Sequence, residues 1–471
     1  MTSAASKAHA LWDAGELDAA ADICHAELFK TPNDPNWLCL LANIYEKAGK
    51  QALAYSLFGR AKDVDESHAF AWMNYGRVAQ DMWRAQEGER ALLKAVSLYA
   101  EPQNKAVALA NLSALCSDWG RWEDCEKYAR RALQLDPNCR IATCNLGFAQ
   151  LAQHNWAEGW KNYRANLEYT TRVKVNYKGE PEWDGSPGKS VVLYGEQGIG
   201  DEISFGSMIP DAIRHCRKVI VDCDPRLENL YRRSFPKARV YGTRRAKAAD
   251  GLRWAKEDCD FDASLAVGQC GEYFRTDQAQ FPGTPYLVAD PDRVTMWRAL
   301  WAEKRKPVIG IAWRGGVPKS GAKFRQWDLE QLLPLFRSVD AHWVSLQYKP
   351  STREIAAFTA KHPGIDLKEY PFATLSQDYD DTAALVASCD LVICMQTAVA
   401  HLCGALGVPC HVFVPKISQW RYAGTSSAIP WYRSLTVHHQ QSDDWRTDLS
   451  AFSEELSANF GQLPRRTAAT A

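Results

Sequence analysis

A recurring pattern of large and small residues in the first third of the chain constrains its fold more than any other feature. In the clearest copies, two large residues three positions apart precede a small one, as in Trp72-x-x-Tyr75-Gly76. A second segment follows with a small and a large residue four positions apart, as in Gly88-x-x-x-Leu92. This spacing predicts pairs of helices whose small positions allow close packing. Further copies begin at Leu38, Leu109 and Thr143, and an earlier one carries Gly15, Ala20, Cys24 and Pro32 in the same frame.

The step between copies is about 34 residues, the period of tetratricopeptide repeats. Residues 1–169 therefore resemble an array of about five such repeats. One helix pair cannot bury its apolar face alone, so the pairs are expected to stack into a curved solenoid with a concave groove. Such grooves bind extended peptide or protein segments, which predicts a protein partner. A spacer or a dimer surface is the alternative interpretation.

A segment rich in glycine and proline, residues 170–188, predicts a linker. The apolar run at 191–194 then leads through Gly195, Gly198 and Gly200 to Asp201 and a segment with helical spacing. Strand, glycine turn and helix together form the opening unit of a nucleotide-binding α/β domain. The helix N-terminus in such a unit offers unpaired N–H groups to an anion.

A second start of the same kind follows, where the apolar run at 307–313 leads into Arg314-Gly315-Gly316. Predicted strands and helices alternate beyond it, which implies parallel sheets with helices on both faces. The predicted fold class is α + α/β, an all-α repeat solenoid followed by two Rossmann-like lobes. The predicted domains are residues 1–169 (repeats), 170–188 (linker), 189–303 and 304–440 (the two lobes) and 441–471 (a C-terminal helix and tail).

Composition excludes several kinds of partner and site. The chain has 56 basic and 56 acidic residues, so there is no electrostatic case for nucleic acid or a membrane surface. Its 14 cysteines include no Cys-x-x-Cys pair, and no Cys/His cluster has zinc spacing. Asp222-x-Asp224 is interpreted as a strand end with a helix cap rather than a metal pair. Without a signal peptide or a long apolar span, the protein is expected to be cytoplasmic with no integral membrane segment.

Two motifs resemble those of the heptosyltransferase-like glycosyltransferases, family 9: GEQGIGD at 195–201, and TAVAHLCGALGVP at 397–409. The segments GIAWRGG at 310–316 and PWY at 430–432 are similar to bacterial members that carry tetratricopeptide repeats. Protein O-GlcNAc transferases and some flagellin glycosyltransferases have a similar domain pairing. The resemblance implies the two-lobe GT-B fold, with the nucleotide sugar bound mainly by the C-terminal lobe. It also implies that no metal and no cofactor beyond this co-substrate is needed.

The resemblance assigns Asp201 the role of general base, which takes the proton of an acceptor hydroxyl in an inverting transfer. Glu196 and Glu202 are the nearby alternatives. A charge at the start of a helix is the simpler explanation of Asp201. The acceptor-side and loop candidates are Glu196, Gln197, Gly198, Gly200, Trp420 and Arg421, although Trp420 and Trp431 alternatively fill the hinge between the lobes.

On the donor side, fixed positive groups and N–H donors are needed for the charge that grows on the leaving phosphate. Gln396 stands where heptosyltransferases usually have Asp, so the contacts to the donor sugar are expected to differ from those to a heptose. Ordinary salt bridges for the arginines and core packing for the histidine are the simpler alternatives. The candidates for donor binding are Arg314, Gly315, Gly316, Arg325, Gln396, Thr397, Ala398 and His401.

The leading functional prediction is an inverting, metal-independent glycosyltransferase that modifies a protein recruited by the repeats, such as flagellin or another surface protein. One alternative is a transferase acting on a cell-surface polysaccharide or lipopolysaccharide precursor. Another is a non-catalytic repeat scaffold with degenerate transferase lobes. A dinucleotide-dependent oxidoreductase is disfavoured, because the turn has the order G-x-x-G-x-G rather than G-x-G-x-x-G.

Overall fold

The computed structural model describes residues 3–167, 169, 172–244, 260–316 and 321–459. Residues 170 and 171 of the predicted linker and the predicted tail after 459 lie outside the described residues. The chain divides into two compact units, Met1–Gln153 and His154–Ala471. Among the described residues, no helix has both the length and the apolar character that crossing a membrane requires.

The first unit is a row of helices in which each helix packs against the next along the chain. This confirms the expected tetratricopeptide-like character of the N-terminal region. Residues 3–153 form α1 (Ser3–Ala14), α2 (Leu17–Lys30), α3 (Pro35–Lys47), α4 (Gln51–Val64), α5 (Ala69–Asp81), α6 (Ala85–Leu98), α7 (Pro102–Asp118), α8 (Trp122–Leu135) and α9 (Arg140–Ala152).

Small residues decide how closely these helices approach. A Cβ atom on Gly76 would lie 2.7 Å from Leu92 Cγ and 2.9 Å from the backbone oxygen of Gly88. The small position of the repeat pattern is therefore the place where α5 meets α6. Helix ends are set locally, as at α3, where Asp34 accepts a hydrogen bond from the backbone N–H of Asn36 at 2.9 Å.

The second unit alternates helices with short, buried strands. Its strands are β1 (Ser190–Tyr194), β2 (Lys218–Asp222), β3 (Arg239–Tyr241), β4 (Ala263–Ala266), β5 (Val308–Ala312), β6 (His342–Ser345), β7 (Leu367–Glu369), β8 (Leu391–Met395), β9 (Cys410–Val414) and β10 (Leu435–His439). Its helices are α10 (Trp156–Tyr163), α11 (Ile199–Gly206), α12 (Ile209–His215), α13 (Glu228–Ser234), α14 (Gly271–Phe274), α15 (Pro291–Ala302), α16 (Leu333–Ser338), α17 (Thr352–Lys361), α18 (Pro371–Thr374), α19 (Tyr379–Ser388), α20 (Ala398–Leu406) and α21 (Trp445–Asn459).

The described strands form two parallel sheets, with strand orders β3-β2-β1-β4 and β10-β9-β8-β5-β6-β7. In the first sheet, Val191 lies opposite Val219 on one side and Ala263 on the other. In the second, Ile309 lies between Trp343 and Leu391. The central strands β1, β5 and β8 are buried at every residue, as expected where helices cover both faces of a parallel sheet. The predicted α/β character of the C-terminal region is confirmed.

We expect Gly76→Ala to lower the free energy of unfolding by about 1–3 kcal/mol, because the added methyl group collides with both a side chain and a backbone oxygen. Gly59→Ala is the control, since its Cβ would meet only the Tyr75 ring, at 3.3 Å. Thermal unfolding of the full chain, followed by circular dichroism, measures both. Equal shifts of the two melting temperatures would contradict the proposed close contact of α5 and α6.

Candidate functional site

Two helices that directly follow central strands meet at their N-terminal turns. Helix α11 follows β1, and helix α20 follows β8. A Cβ atom on Gly200 would lie 3.2 Å from Ala398 Cα and 3.4 Å from His401 Cδ2. The missing side chain at Gly200 therefore permits the contact. Residues predicted for the two sides of the reaction come together here, at the carboxyl ends of strands from both sheets, where open α/β sheets bind ligands.

Asp201 lies in the first turn of α11 and forms an ion pair with Arg421. The distance from Arg421 Nη1 to Asp201 Oδ1 is 2.9 Å. The Arg421 side chain is 3% exposed, whereas that of Asp201 is 33% exposed. The arginine thus belongs to the protein interior, and the carboxylate reaches the surface of the site.

Three aromatic rings surround the Arg421 guanidinium. Its Cζ lies 4.6 Å from the ring centre of Phe205, 4.5 Å from that of Trp420 and 5.9 Å from that of Trp431. The electron-rich faces of such rings attract a cation. Nε and Nη2 of Arg421 are buried and have no hydrogen-bond partner among the described residues. Both tryptophans predicted near the site, Trp420 and Trp431, therefore contact Arg421.

The turn between β8 and α20 contains two more predicted residues, Gln396 and Thr397, and a third, Gly315, lies against it. Thr397 caps α20, and its Oγ1 accepts a hydrogen bond from the backbone N–H of Val399 at 3.3 Å. A Cβ atom on Gly315 would lie 2.4 Å from Thr397 Cγ2, so this glycine lets the loop after β5 lie against the cap. The Gln396 side chain is buried, and its Oε1 and Nε2 have no hydrogen-bond partner in the described part of the chain.

His401 lies one turn into α20 and is buried. Its Nδ1 is 3.2 Å from the Tyr432 hydroxyl. Burial, with a smaller contribution from the Arg421 charge, lowers the pKa of His401 to about 3. The imidazole is therefore neutral near pH 7, where it can donate or accept a hydrogen bond but adds no charge to the site.

The loop after β5 runs beside the segment that carries Arg325. The backbone N–H of Gly315 donates to the Arg325 carbonyl at 3.2 Å, and Gly316 has a φ of 87°. Arg325 is buried, which lowers its pKa, while the nearby Asp201 charge opposes that shift. Arg314 instead forms an ion pair with Glu354. Arg325 thus lies near the carboxylate of Asp201, whereas Arg314 would have to leave Glu354 to bind an anion.

The two glutamates near Asp201 in sequence, Glu196 and Glu202, point into the protein. Glu196 forms an ion pair with the buried Arg172 at 3.1 Å, and burial raises its pKa. Glu202 accepts a hydrogen bond from the backbone N–H of Asp224 at 2.7 Å, and burial raises its pKa to about 8. Asp201 is therefore the most exposed of the three carboxyl groups.

The remaining loop candidates support the turn itself. Gly198 is the residue before α11 and has extended backbone angles. The Gln197 Oε1 accepts a hydrogen bond from the Tyr163 hydroxyl at 3.3 Å. Tyr163 and Arg172 also support this turn, although neither belongs to a motif that indicates a site in the sequence. The position of Phe205, four residues after Asp201 on the same helix face, could have indicated its place in the site.

No group of three or more His, Cys, Asp or Glu side chains in the described residues is arranged to hold a metal ion. The two residues of the Asp-x-Asp pair have other partners. Asp222 accepts hydrogen bonds from the hydroxyls of Tyr177 at 2.8 Å and Thr243 at 2.7 Å. Asp224 accepts a hydrogen bond from the Arg226 backbone N–H at 3.1 Å, as the capping interpretation predicts.

Comparison with known proteins identifies one relative along most of the chain. No protein-family model matches it. Protein FlbA of Caulobacter vibrioides is 26% identical over 442 residues, which cover 88% of this chain and 71% of FlbA. FlbA is therefore similar to this chain over most of its length, at low identity.

Solved structures match the N-terminal part. MamA is 20% identical and covers 34% of this chain and 92% of its own, with a TM-score of 0.30. Pseudomonas aeruginosa PilF is 18% identical and covers 34% of this chain and 72% of its own, with a TM-score of 0.32. YrrB, a TPR protein with an unusual peptide-binding site, is 18% identical and covers 32% of this chain and 76% of its own, with a TM-score of 0.27. These scores are low, so the repeat assignment rests on the helix pairs of the first unit.

We expect Gly315→Ala to destabilise the protein by about 1–3 kcal/mol, because its methyl group would collide with the Thr397 methyl group. Thr397→Ser removes that methyl group and keeps a good capping hydroxyl, so alone it should cost less than about 1 kcal/mol. The double variant should recover most of the loss. Urea unfolding of the four proteins tests this coupling, which simple additivity of the two changes would contradict.

Protonation of His401 should couple unfolding to pH. Its pKa is about 3 in the folded protein against an ordinary value of 6.5. Below pH 6.5 the unfolded chain therefore binds a proton that the folded protein does not, and stability falls as the pH is lowered toward 3. This group contributes up to about 1.4 kcal/mol per pH unit.

Urea unfolding at pH 7.5, 6 and 5 measures the effect in the wild type and in His401→Gln. The difference in stability between the two proteins should change across this range. The exposed His25→Gln variant is the control. The same pH dependence in wild type and His401→Gln would contradict a neutral, buried His401.

Proposed function

We propose that the protein is an inverting glycosyltransferase of the two-lobe GT-B architecture, which transfers a sugar from a nucleotide-sugar donor to a hydroxyl group of a protein acceptor. One observation supports this most. The N-terminal turns of α11 and α20 meet, and the partly exposed carboxylate of Asp201 pairs with the buried side chain of Arg421 at that point. Such a site combines a candidate base with groups that attract a phosphate anion.

In the proposed step, the acceptor oxygen attacks the anomeric carbon of the donor sugar. The bond from that carbon to the donor phosphate oxygen breaks, and its electron pair leaves with the nucleotide phosphate. Asp201 takes the proton of the acceptor hydroxyl, because its carboxylate is the most exposed of the three neighbouring acids. Attack from the side opposite the leaving group inverts the configuration.

Buried positive charge and oriented N–H groups would stabilise the leaving phosphate. The residues proposed for this role are Arg325 and the first turn of α20, with neutral His401 as a hydrogen-bonding group. The buried amide of Gln396 would contact the sugar hydroxyls, since it can both donate and accept hydrogen bonds without adding charge. The first unit would recruit the acceptor, in keeping with its tetratricopeptide-like helix pairs.

The test is transfer by the full chain from a panel of UDP, GDP, ADP and CMP sugars, with flagellin as acceptor and intact-protein mass spectrometry as readout. We expect one donor to add a single sugar mass. Asp201→Asn should lower kcat by about 10²–10⁴-fold, because it removes the base. Asp211→Asn is the matched control, since Asp211 pairs with another buried arginine, Arg275, at 2.9 Å.

Transfer that is unaffected by Asp201→Asn would overturn the assignment of the base. Transfer to a polysaccharide or lipopolysaccharide precursor, and not to protein, would replace the acceptor class. Absence of transfer from every donor to either kind of acceptor would favour a non-catalytic repeat scaffold.

A further inference from the structure

We propose that Arg421 is shared between two anions: it holds Asp201 through Nη1 and offers Nε and Nη2 to the phosphate of a nucleoside diphosphate. The inference rests on the proposed function in one respect, since that function supplies the diphosphate. It adds a specific residue, Arg421, that binds the phosphate of the leaving group. It also makes the candidate base and the phosphate compete for one cation.

The unused N–H groups of Arg421 are the first argument. The residue is 5% exposed, yet Nε and Nη2 have no hydrogen-bond partner among the described residues. A buried charged donor without an acceptor is costly. Nε and Nη2 lie on one edge of the guanidinium plane, which binds phosphate or carboxylate through two parallel hydrogen bonds. Asp201 contacts the other end, Nη1, so its carboxylate does not occupy that edge.

The fixed position of the guanidinium is the second argument. The rings of Phe205, Trp420 and Trp431 all lie within 5.9 Å of Cζ. They hold the cation electrostatically and exclude water without using any of its N–H groups. A lysine at this position could carry the charge, but it could not present a planar pair of donors to an anion.

The local charge balance is the third argument. Arg325 lies close enough for the Asp201 charge to act on its pKa, and Arg421 is close enough to affect the pKa of His401. His401 is neutral near pH 7, and the Glu196 carboxylate behind Asp201 is paired with Arg172. The charges that remain are those of Arg325, Arg421 and Asp201. The first turns of α11 and α20 add the positive ends of two helix dipoles. A site with this surplus of positive charge is suited to an anion.

Sharing one arginine has a consequence that a purely catalytic Asp201 would not have. A phosphate bound to Nε and Nη2 is repelled by the Asp201 carboxylate and competes with it for the same positive charge. Asp201→Asn should therefore strengthen phosphate binding while it slows transfer. Removing the arginine should weaken binding, because the phosphate loses its two parallel hydrogen bonds.

The experiment is titration calorimetry of the full chain with inorganic pyrophosphate. We expect Asp201→Asn to lower the Kd by about threefold or more, as removal of a nearby like charge should. Arg421→Gln should raise the Kd by about tenfold or more. Arg421→Lys keeps the charge but loses the paired donors, so its Kd should lie between those of the wild type and Arg421→Gln. Asp211→Asn, the matched control, should bind as the wild type does.

An unchanged or higher Kd in Asp201→Asn would overturn the proposal, as would wild-type protein that does not bind pyrophosphate. If Arg421→Gln fails to fold, Arg421→Lys decides, and wild-type affinity in that variant would also overturn the proposal. The readout needs no sugar transfer. If the Kd values change as expected but no sugar is transferred, the shared arginine is supported and the proposed function is refuted. If sugar is transferred but the Kd values do not change as expected, the proposed function is supported and the shared arginine is refuted.

Discussion

The ion pair between Arg421 and Asp201 is the interaction on which the organisation of the site depends. Asp201 lies on α11, which follows β1 of the first sheet, and Arg421 lies in the segment after β9 of the second sheet. A cation buried at this depth requires both an anionic partner and surroundings that tolerate charge. The carboxylate supplies the first, and the rings of Phe205, Trp420 and Trp431 supply the second.

Close backbone approach is a second constraint on this site. Gly200 has only hydrogen where a side chain would meet Ala398, and Gly315 has only hydrogen where one would meet Thr397. Both glycines lie in turns after strands, where a nucleotide-binding domain brings its backbone to the ligand. The same contacts that hold the two helix starts together therefore also shape the site. Stability and the proposed chemistry depend on the same small residues.

The repeat period and the strand–turn–helix units could be predicted because each depends on residues close together in sequence. The apolar runs at 191–194 and 307–313 predict strands, and the structure has β1 (Ser190–Tyr194) and β5 (Val308–Ala312) at those positions. Three strands lack such a signal: Ala263–Ala266 consists mostly of small residues, Leu367–Glu369 is very short, and Leu435–His439 ends in two histidines. None has the continuous β-branched or aromatic character that marks a buried strand in sequence.

The sequence by itself determined the helix-pair array, the parallel α/β region and the position of Asp201 at the start of a helix after a glycine turn. These are properties of local spacing and backbone freedom. Only the tertiary structure decided which charges meet. It pairs Asp201 with Arg421 and Arg314 with Glu354, turns Glu196 and Glu202 into the interior, and buries His401 so that it stays neutral. Such pairings join residues far apart in sequence, and burial and distance set their energies, neither of which a single sequence specifies.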